Sequence, residues 1–187
     1  MTLTKDSFRQ ICLKKIKNAS RHNKFYKNFL INKRLLKELK GVKSTKRLKI
    51  LFFYPLPYEA DISKTLKKIR KKHDVFVPFM EGESFKMVPF RLPLKKKKFG
   101  IFEAGNTIQK NNKIDIAIVP TVGVDSNLQR IGFGKGMYDR FFAKLQKKPY
   151  TIFVQPELCH TSKQICDIYD VSCDVLITPQ TTIRRRG

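Results

Sequence analysis

Residues 130–141, RIGFGKGMYDRF, gather three glycines, one lysine and two arginines around a single aspartate, in a chain of 187 residues that holds only nine glycines. Glycines let backbone N–H groups turn toward an anion without side-chain obstruction, and a helix beginning behind them adds partial positive charge. Lys135 could then reach phosphate oxygens. Asp139, in the first helical turn, could hold magnesium, which takes hard oxygen ligands and often shares them with phosphate. The same residues also suit a plain turn, with Gly132, Gly134 and Gly136 meeting loop geometry and Asp139 complementing the helix dipole. Two nucleotide motifs are excluded by spacing: the loop fits neither G-x-x-x-x-G-K-[ST] nor a G-x-G-x-x-G close behind the first strand.

These residues need elements to position them. Leu3 to Ile16 carries Leu3, Phe8, Ile11, Cys12 and Ile16 at helical spacing among lysines, and a second basic helix is expected over Asn23 to Leu39, ending near Gly41. LKILFFY (48–54) is an apolar run closed by Pro55 and Pro57 and reads as a buried strand, followed by a helix over ADISKTLKKIRKK. DVFVPF, FKMVPFRL, IDIAIVP, YTIFVQ and DVLITP are further strand candidates, and LKKKKFG is read as an exposed hairpin or loop. The glycine segment lies behind IDIAIVP and ahead of Met137, Phe141 and Leu145, which recur every four residues. Its order is therefore strand, loop, helix. Strands alternating with helices give the fold expectation: α/β, a single-domain layered fold over 1–187 with a mainly parallel central sheet flanked by helices. Residues 1–45 would form its basic helical part and 46–187 its α/β core.

The formal charge is +25, and before residue 50 the only acidic side chains are Asp6 and Glu38. Such a field attracts nucleic acid, nucleotides or polycarboxylates without choosing among them, and a chain rich in Lys, Asn, Ile and Phe also acquires solvated lysines by composition alone. No stretch of about twenty apolar residues is present and the first residues lack a signal-peptide core, so the expected location is the cytoplasm, without membrane attachment. Cys12, Cys159, Cys166 and Cys173 contain no C-x-x-C pair, which argues against zinc. In a reducing compartment they call for no disulfide framework and read as structural or incidental.

VPTVGVDSNLQRIGFGKGMYDRFF resembles the signature segment of the 5-formyltetrahydrofolate cyclo-ligase (methenyltetrahydrofolate synthetase) family, roughly V-P-G-x-A-F-D-x-x-G-x-R-L-G-x-G-x-G-Y-Y-D-R. Pro120, Asp125, Arg130, Gly132, Gly134, Gly136, Tyr138, Asp139 and Arg140 fall in register. KDSFR, YEADISKTL, FGIFEAG and YDVSCDVLIT resemble further family segments in the same order, so the likeness runs along nearly the whole chain. Thr121, Gly123 and Val124 stand where the family usually has Gly, Ala and Phe. Leu128 replaces a common glycine, Met137 a tyrosine, Ala104 a proline and Tyr169 a histidine.

The resemblance implies an ATP- and magnesium-dependent conversion of 5-formyltetrahydrofolate, including polyglutamylated forms, to 5,10-methenyltetrahydrofolate through a phosphorylated formyl intermediate. It implies ATP binding by Lys5, Arg9, Arg130, Gly132, Gly134, Lys135, Gly136, Tyr138 and Arg140. Lys135 and Arg130 would be catalytic, Glu59 and Tyr138 would contact folate, and Asp139 and Asp174 would hold magnesium. Each residue also has a plainer reading. Lys5 and Arg9 suit solvated surface, Glu59 and Asp61 a helix cap, Asp174 a strand-end turn, and Tyr138 the core or its rim. Two alternatives stay beside the enzyme: a nucleotide-binding relative without turnover, and a basic nucleic-acid-binding protein, suggested by RHNKFYKNF but not explained by Asp139 and Asp174. Nucleic acid is the less expected partner, and oligomeric state is not legible in the sequence.

Overall fold

A computed structural model describes residues 2–92, 95–96, 102–103 and 113–185. Two helices lead, α1 (Lys5–Ala19) and α2 (Lys24–Gly41). Thr4 starts α1 with a capping box, its hydroxyl accepting from Ser7 N–H while the Ser7 hydroxyl returns the bond. Next come β1 (Lys49–Leu51), α3 (Ser63–Ile69), β2 (Asp74–Glu81), β3 (Ser84–Pro89), β4 (Lys95–Lys96), β5 (Phe102–Glu103) and β6 (Ile116–Pro120). The chain closes with β7 (Gly123–Val124), β8 (Arg130–Ile131), α4 (Met137–Phe142), β9 (Tyr150–Val154), β10 (Val175–Ile177) and β11 (Thr182–Arg184).

Seven of these strands make one sheet in the order β11-β10-β9-β6-β1-β2-β3. The five inner strands are parallel, and only the edges, β3 on β2 and β11 on β10, are antiparallel. The expected α/β class with a mainly parallel sheet is what forms. The inner strands are buried on both faces, which is why they read as apolar runs rather than alternations. Their side chains still sort by parity. Ile50, Phe52, Val75, Val77, Ile116, Ile118, Ile152, Val154, Val175 and Ile177 meet α2 and α3 on one face. Leu51, Phe76, Ala117, Val119, Phe153 and Leu176 meet α4 and residues of the β7–β8 hairpin on the other.

Several bounds differ from expectation. The first strand is only Lys49–Leu51 and α3 only Ser63–Ile69, because Pro55, Pro57 and the loop around Glu59 leave the regular path as soon as the chain clears the sheet. Of LKKKKFG, only Lys95–Lys96 lies in a described strand, paired with Phe102–Glu103; the rest of that segment and Ala104 fall outside the described residues. The connection TVGVDSNLQ contains the strand β7, and β8 follows it as its hairpin partner.

Candidate active site

Parallel α/β sheets leave a crevice beyond the carboxyl ends of their strands, where the turning loops can converge functional groups. Here the loop after β1 brings Glu59, the loop after β8 brings the glycines, and α1 closes over the β7–β8 side. Asp125 organises the hairpin. Its buried carboxylate accepts N–H bonds from Asn127 (2.9 Å), Gln129 (2.9 Å) and Cys166 (3.3 Å). The chain thus leaves at Arg130 in a fixed direction.

Arg130 is the centre of the site, only 5% exposed. Its Nε donates to Pro120 O at 3.0 Å, its guanidinium lies 4.7 Å over the Tyr138 ring, and Nη1 stands 3.9 Å from Asp139 Oδ2. Burial draws the Arg130 pKa down, opposed by the charge of Asp139 first and then Tyr138, Glu59 and Asp170. Gly132 is a glycine for a spatial reason: a Cβ there would fall 2.4 Å from Arg130 Nη1. Gly134 (φ +95°) and Gly136 (φ +58°) hold the left-handed backbone that carries the loop into α4. At six residues α4 is short, and no side chain caps it. The loop's own N–H groups, rather than a long helix dipole, are therefore what it can offer an anion.

Glu59 is buried, with one carboxylate oxygen accepting Leu56 N–H at 2.8 Å. Desolvation pushes its carboxyl up to about 7, against that bond and the charge of Arg130. A helix cap it is not: Ser63 N–H, at the start of α3, donates to Asp61 Oδ1 at 2.9 Å. Tyr58 packs its ring 5.3 Å from Phe133 and so joins the Glu59 loop to the glycine loop. Tyr138 sits under Arg130 and against Phe85 at 4.9 Å, and burial raises its phenol pKa.

The helix α1 delivers its two named bases to the loop region. Arg9 Nε donates to Gly132 O at 2.9 Å, its Nη1 pairs with Asp6, and Lys5 pairs with Asp170 and Asp167. Burial pulls the Lys5 pKa down, but the Asp170 bond and neighbouring carboxylates more than offset it, so the net shift is upward. Lys135 is exposed on the loop. Glu59, Arg130, Tyr138, Asp139, Lys5, Arg9 and the glycines thus share one region.

Two of the expected positions carry structural hydrogen bonds. Arg140 donates to Glu83 O and Lys135 O, bracing the loop against the β2–β3 turn. Asp174, the other member of the expected metal pair, is hydrogen-bonded within the sheet. It stands at the amino end of β10 with Oδ2 accepting Thr151 N–H at 2.7 Å, as Asp115 at the amino end of β6 accepts Lys49 N–H at 2.7 Å. Asp139 instead accepts Val171 N–H at 3.2 Å and faces Arg130. Among the described residues no group of three or more His, Cys, Asp and Glu is placed to hold a metal ion. Tyr58, Asp125, Phe133 and Asp170 also line this region; none was named as a site residue from the sequence, although each lies inside one of the family-like segments.

Residues 1–179 match the 5-formyltetrahydrofolate cyclo-ligase family along their whole length. The chain belongs to that family. A Schizosaccharomyces pombe protein named "Probable 5-formyltetrahydrofolate cyclo-ligase" is 30% identical, over 59% of this chain and 64% of that protein. A 5-formyltetrahydrofolate cyclo-ligase of Mycoplasma pneumoniae is 27% identical, over 57% and 64% respectively. The match thus spans somewhat less than two thirds of each relative. The fold is similar to that of Aquifex aeolicus 5,10-methenyltetrahydrofolate synthetase, with a TM-score of 0.78, 22% identity and coverage of 99% of this chain and 94% of that one.

Against the cyclo-ligase pattern, three departures acquire physical reasons. Thr121 is buried and turns its hydroxyl onto Gly123 O (2.8 Å) and Ile131 O (3.2 Å). Leu128 keeps a glycine-like backbone, φ +54°, while burying its side chain. At Gly123 a Cβ would lie 2.9 Å from Cys12 Sγ. That sulfur belongs to a disulfide, Cys12–Cys159, across 147 residues of sequence. This corrects the expectation that the cysteines call for no disulfide; with partners that far apart, no spacing rule could pair them.

Proposed function

We propose that this chain is an ATP-dependent 5-formyltetrahydrofolate cyclo-ligase. One observation carries the reading: a desolvated carboxyl, Glu59, and a buried guanidinium, Arg130, act on each other's charge beside a glycine loop to which α1 brings Lys5 and Arg9. Glu59 is suited to the pterin edge, where adjacent N–H donors would supply the partners that burial denies it and favour its ionised form. The glycine loop with Lys135, Arg130 and Arg9 is suited to the triphosphate.

The formyl oxygen attacks the γ-phosphorus as its bond to ADP breaks. The second folate nitrogen then attacks the formyl carbon, and phosphate leaves with the former formyl oxygen. This chain's contribution is alignment and charge neutralisation at the transferring group. Magnesium, entering with ATP, would neutralise phosphate charge. Asp139, whose carboxylate is partly exposed, is the residue that would hold it, and Asp174 would first have to release Thr151. We assign the protein to the cytoplasm, treat the chain as one catalytic unit and include polyglutamylated folates among its substrates.

The purified protein with 5-formyltetrahydrofolate, magnesium and ATP should generate the near-ultraviolet absorbance of the methenyl product with release of ADP. Absence of both would overturn the reading. A thermal shift with magnesium-ATP but no product would instead identify a nucleotide-binding relative without turnover. Phe25, Tyr26 and Phe29 stand exposed on the basic α2, so single-stranded DNA belongs in the same experiment; a larger shift with DNA than with ATP would favour nucleic acid.

A further inference from the structure

The cysteines have no place in the chemistry above. Cys12 and Cys159 are 0% and 1% exposed. They sit at the centre of a small cluster in which the inner face of α1, Phe8, Cys12 and Ile16 at four-residue spacing, meets Val122, Ile131 and Cys159. The two sulfurs are mounted differently. Cys159 is held by the sheet: its N–H and C=O both bond the buried Gln155 side chain (3.3 Å each), and its C=O also accepts Val124 N–H at 3.0 Å. Cys12 rides on α1, and residue 123 must be glycine for it to approach, since a Cβ there would also meet Phe8 Cε1 at 3.2 Å. Phe133 packs against the same cluster and lies between Gly132 and Gly134, so the cluster runs straight into the glycine loop. The polar attachments of α1, Lys5 to Asp167 and Asp170 and Arg9 to Gly132 O, lie toward its amino end.

We infer that Cys12 and Cys159 form a redox-modification site whose state sets how firmly α1, and with it Lys5 and Arg9, is docked against the glycine loop. The docking claim stands on this geometry; its consequence for ATP rests on the function proposed above. The oxidant is a small-molecule or protein disulfide, RSSR. One cysteine thiolate attacks it, forming a mixed disulfide and releasing RS⁻. The second thiolate then attacks the protein sulfur of the mixed disulfide and expels the other RS⁻. In sum, two protein thiols and RSSR become the Cys12–Cys159 disulfide and two RSH, and a dithiol reductant reverses the exchange. Because both sulfurs are buried, exchange requires α1 to lift. The redox state therefore reports on, and controls, the same motion. Cys166 packs against the cluster, but burial first and then Asp125 and Asp170 push its thiol up to about 12, which keeps it protonated and out of the exchange.

The full chain is equilibrated in glutathione buffers from fully reduced to fully oxidised and quenched by alkylation. Mass spectrometry then counts blocked thiols, hydrogen exchange is followed over α1, and KM for ATP is measured. The reduced form should show four alkylated cysteines rather than two, faster exchange over α1, and a KM for ATP at least about threefold higher at similar kcat, because only the docked fraction is competent. Cys12→Ser should stay in the reduced behaviour in every buffer, with Cys159→Ala as its replacement should it misfold, and Cys166→Ser should keep the response. Equal α1 exchange in the two forms, or no Cys12–Cys159 linkage under oxidising buffer, overturns the inference. A redox-dependent α1 with no methenyl product in either state upholds the site and removes the proposed function instead.

Discussion

The two ends of the parallel strands treat carboxylates differently. At the amino ends, Asp115 and Asp174 each accept the N–H of a residue at the start of the neighbouring strand at 2.7 Å, and Asp74 pairs with Arg47 at 3.0 Å. These groups are satisfied where they stand, and they tie strand to strand. At the carboxyl ends, among the described residues, Glu59 accepts one backbone N–H and has a carboxyl pushed up to about 7, while Arg130 gives Nε to Pro120 O and stands 3.9 Å from Asp139. Buried polar groups are normally fully paired. On the function proposed above, a ligand would supply the partners that Glu59 and Arg130 lack among the described residues, whereas the paired carboxylates at the amino ends hold the sheet together.

The largest effect should separate Asp139 from Asp174. Lys135→Met and Asp139→Asn should each remain folded and lose turnover by roughly a hundredfold or more, the scale of a lost electrostatic contact to a transition state. Asp174→Ala and Asp115→Ala should keep kcat within about a factor of three and instead lose about 1–3 kcal/mol of stability, the cost of an orphaned backbone donor. Steady-state rates beside urea midpoints decide it. A collapse of kcat in folded Asp174→Ala would return that residue to the magnesium site.

Glu59 sharpens the contrast through pH. Its carboxyl titrates near 7 in the folded protein against an ordinary value of 4.5, so the unfolded chain ionises first. The stability this protonated carboxyl contributes is complete below about pH 4.5 and is lost as pH rises to about 7, by up to about 3 kcal/mol. Glu59→Gln should remove that decline, making the variant the more stable protein at pH 8 while abolishing turnover. Denaturant melts at pH 5 and pH 8 measure it. An equal stability difference between variant and wild type at both values would show that the Glu59 carboxyl is not perturbed.

What could be read in advance followed from where the physics is local. The inner strands declared themselves because strands buried on both faces must be apolar runs, and α1 and α2 because their buried residues recur at helical spacing. Both strands of the β7–β8 hairpin are two residues long, too short for any period, and β11 is only three residues, with a half-buried Ile183 between exposed Thr182 and Arg184. Within the site, Arg130, Gly132 and Asp139 were marked by one contiguous motif. The pairing of Cys12 with Cys159, the Lys5–Asp170 bridge and the strand-tying role of Asp174 depend on which distant segments the sheet order brings together, which no local pattern encodes.

The smallest effect tests the scaffold under the loop. Leu128 sits at φ +54°, where an L side chain is strained, yet it is 5% exposed and packs in the cluster that holds Val124, Phe141 and Val171. Two costs therefore oppose each other on substitution. Leu128→Ala forfeits the buried side chain, about 2–5 kcal/mol, and keeps the strained backbone. Leu128→Gly forfeits slightly more packing but relieves roughly 1–2 kcal/mol of left-handed strain, against about 0.5–1 kcal/mol of extra unfolded-state entropy. At an ordinary buried position glycine would be the worse replacement. Here it should be no worse than alanine, and better by up to about 1 kcal/mol. Turnover should stay near wild type in both, because Asp125 and Gln129 are joined through a backbone N–H that neither substitution removes. Urea midpoints of the two variants give the order directly. Alanine above glycine by about 1 kcal/mol, the ordinary order, would mean that Leu128 carries no strain and that the hairpin turns without needing a glycine-like residue.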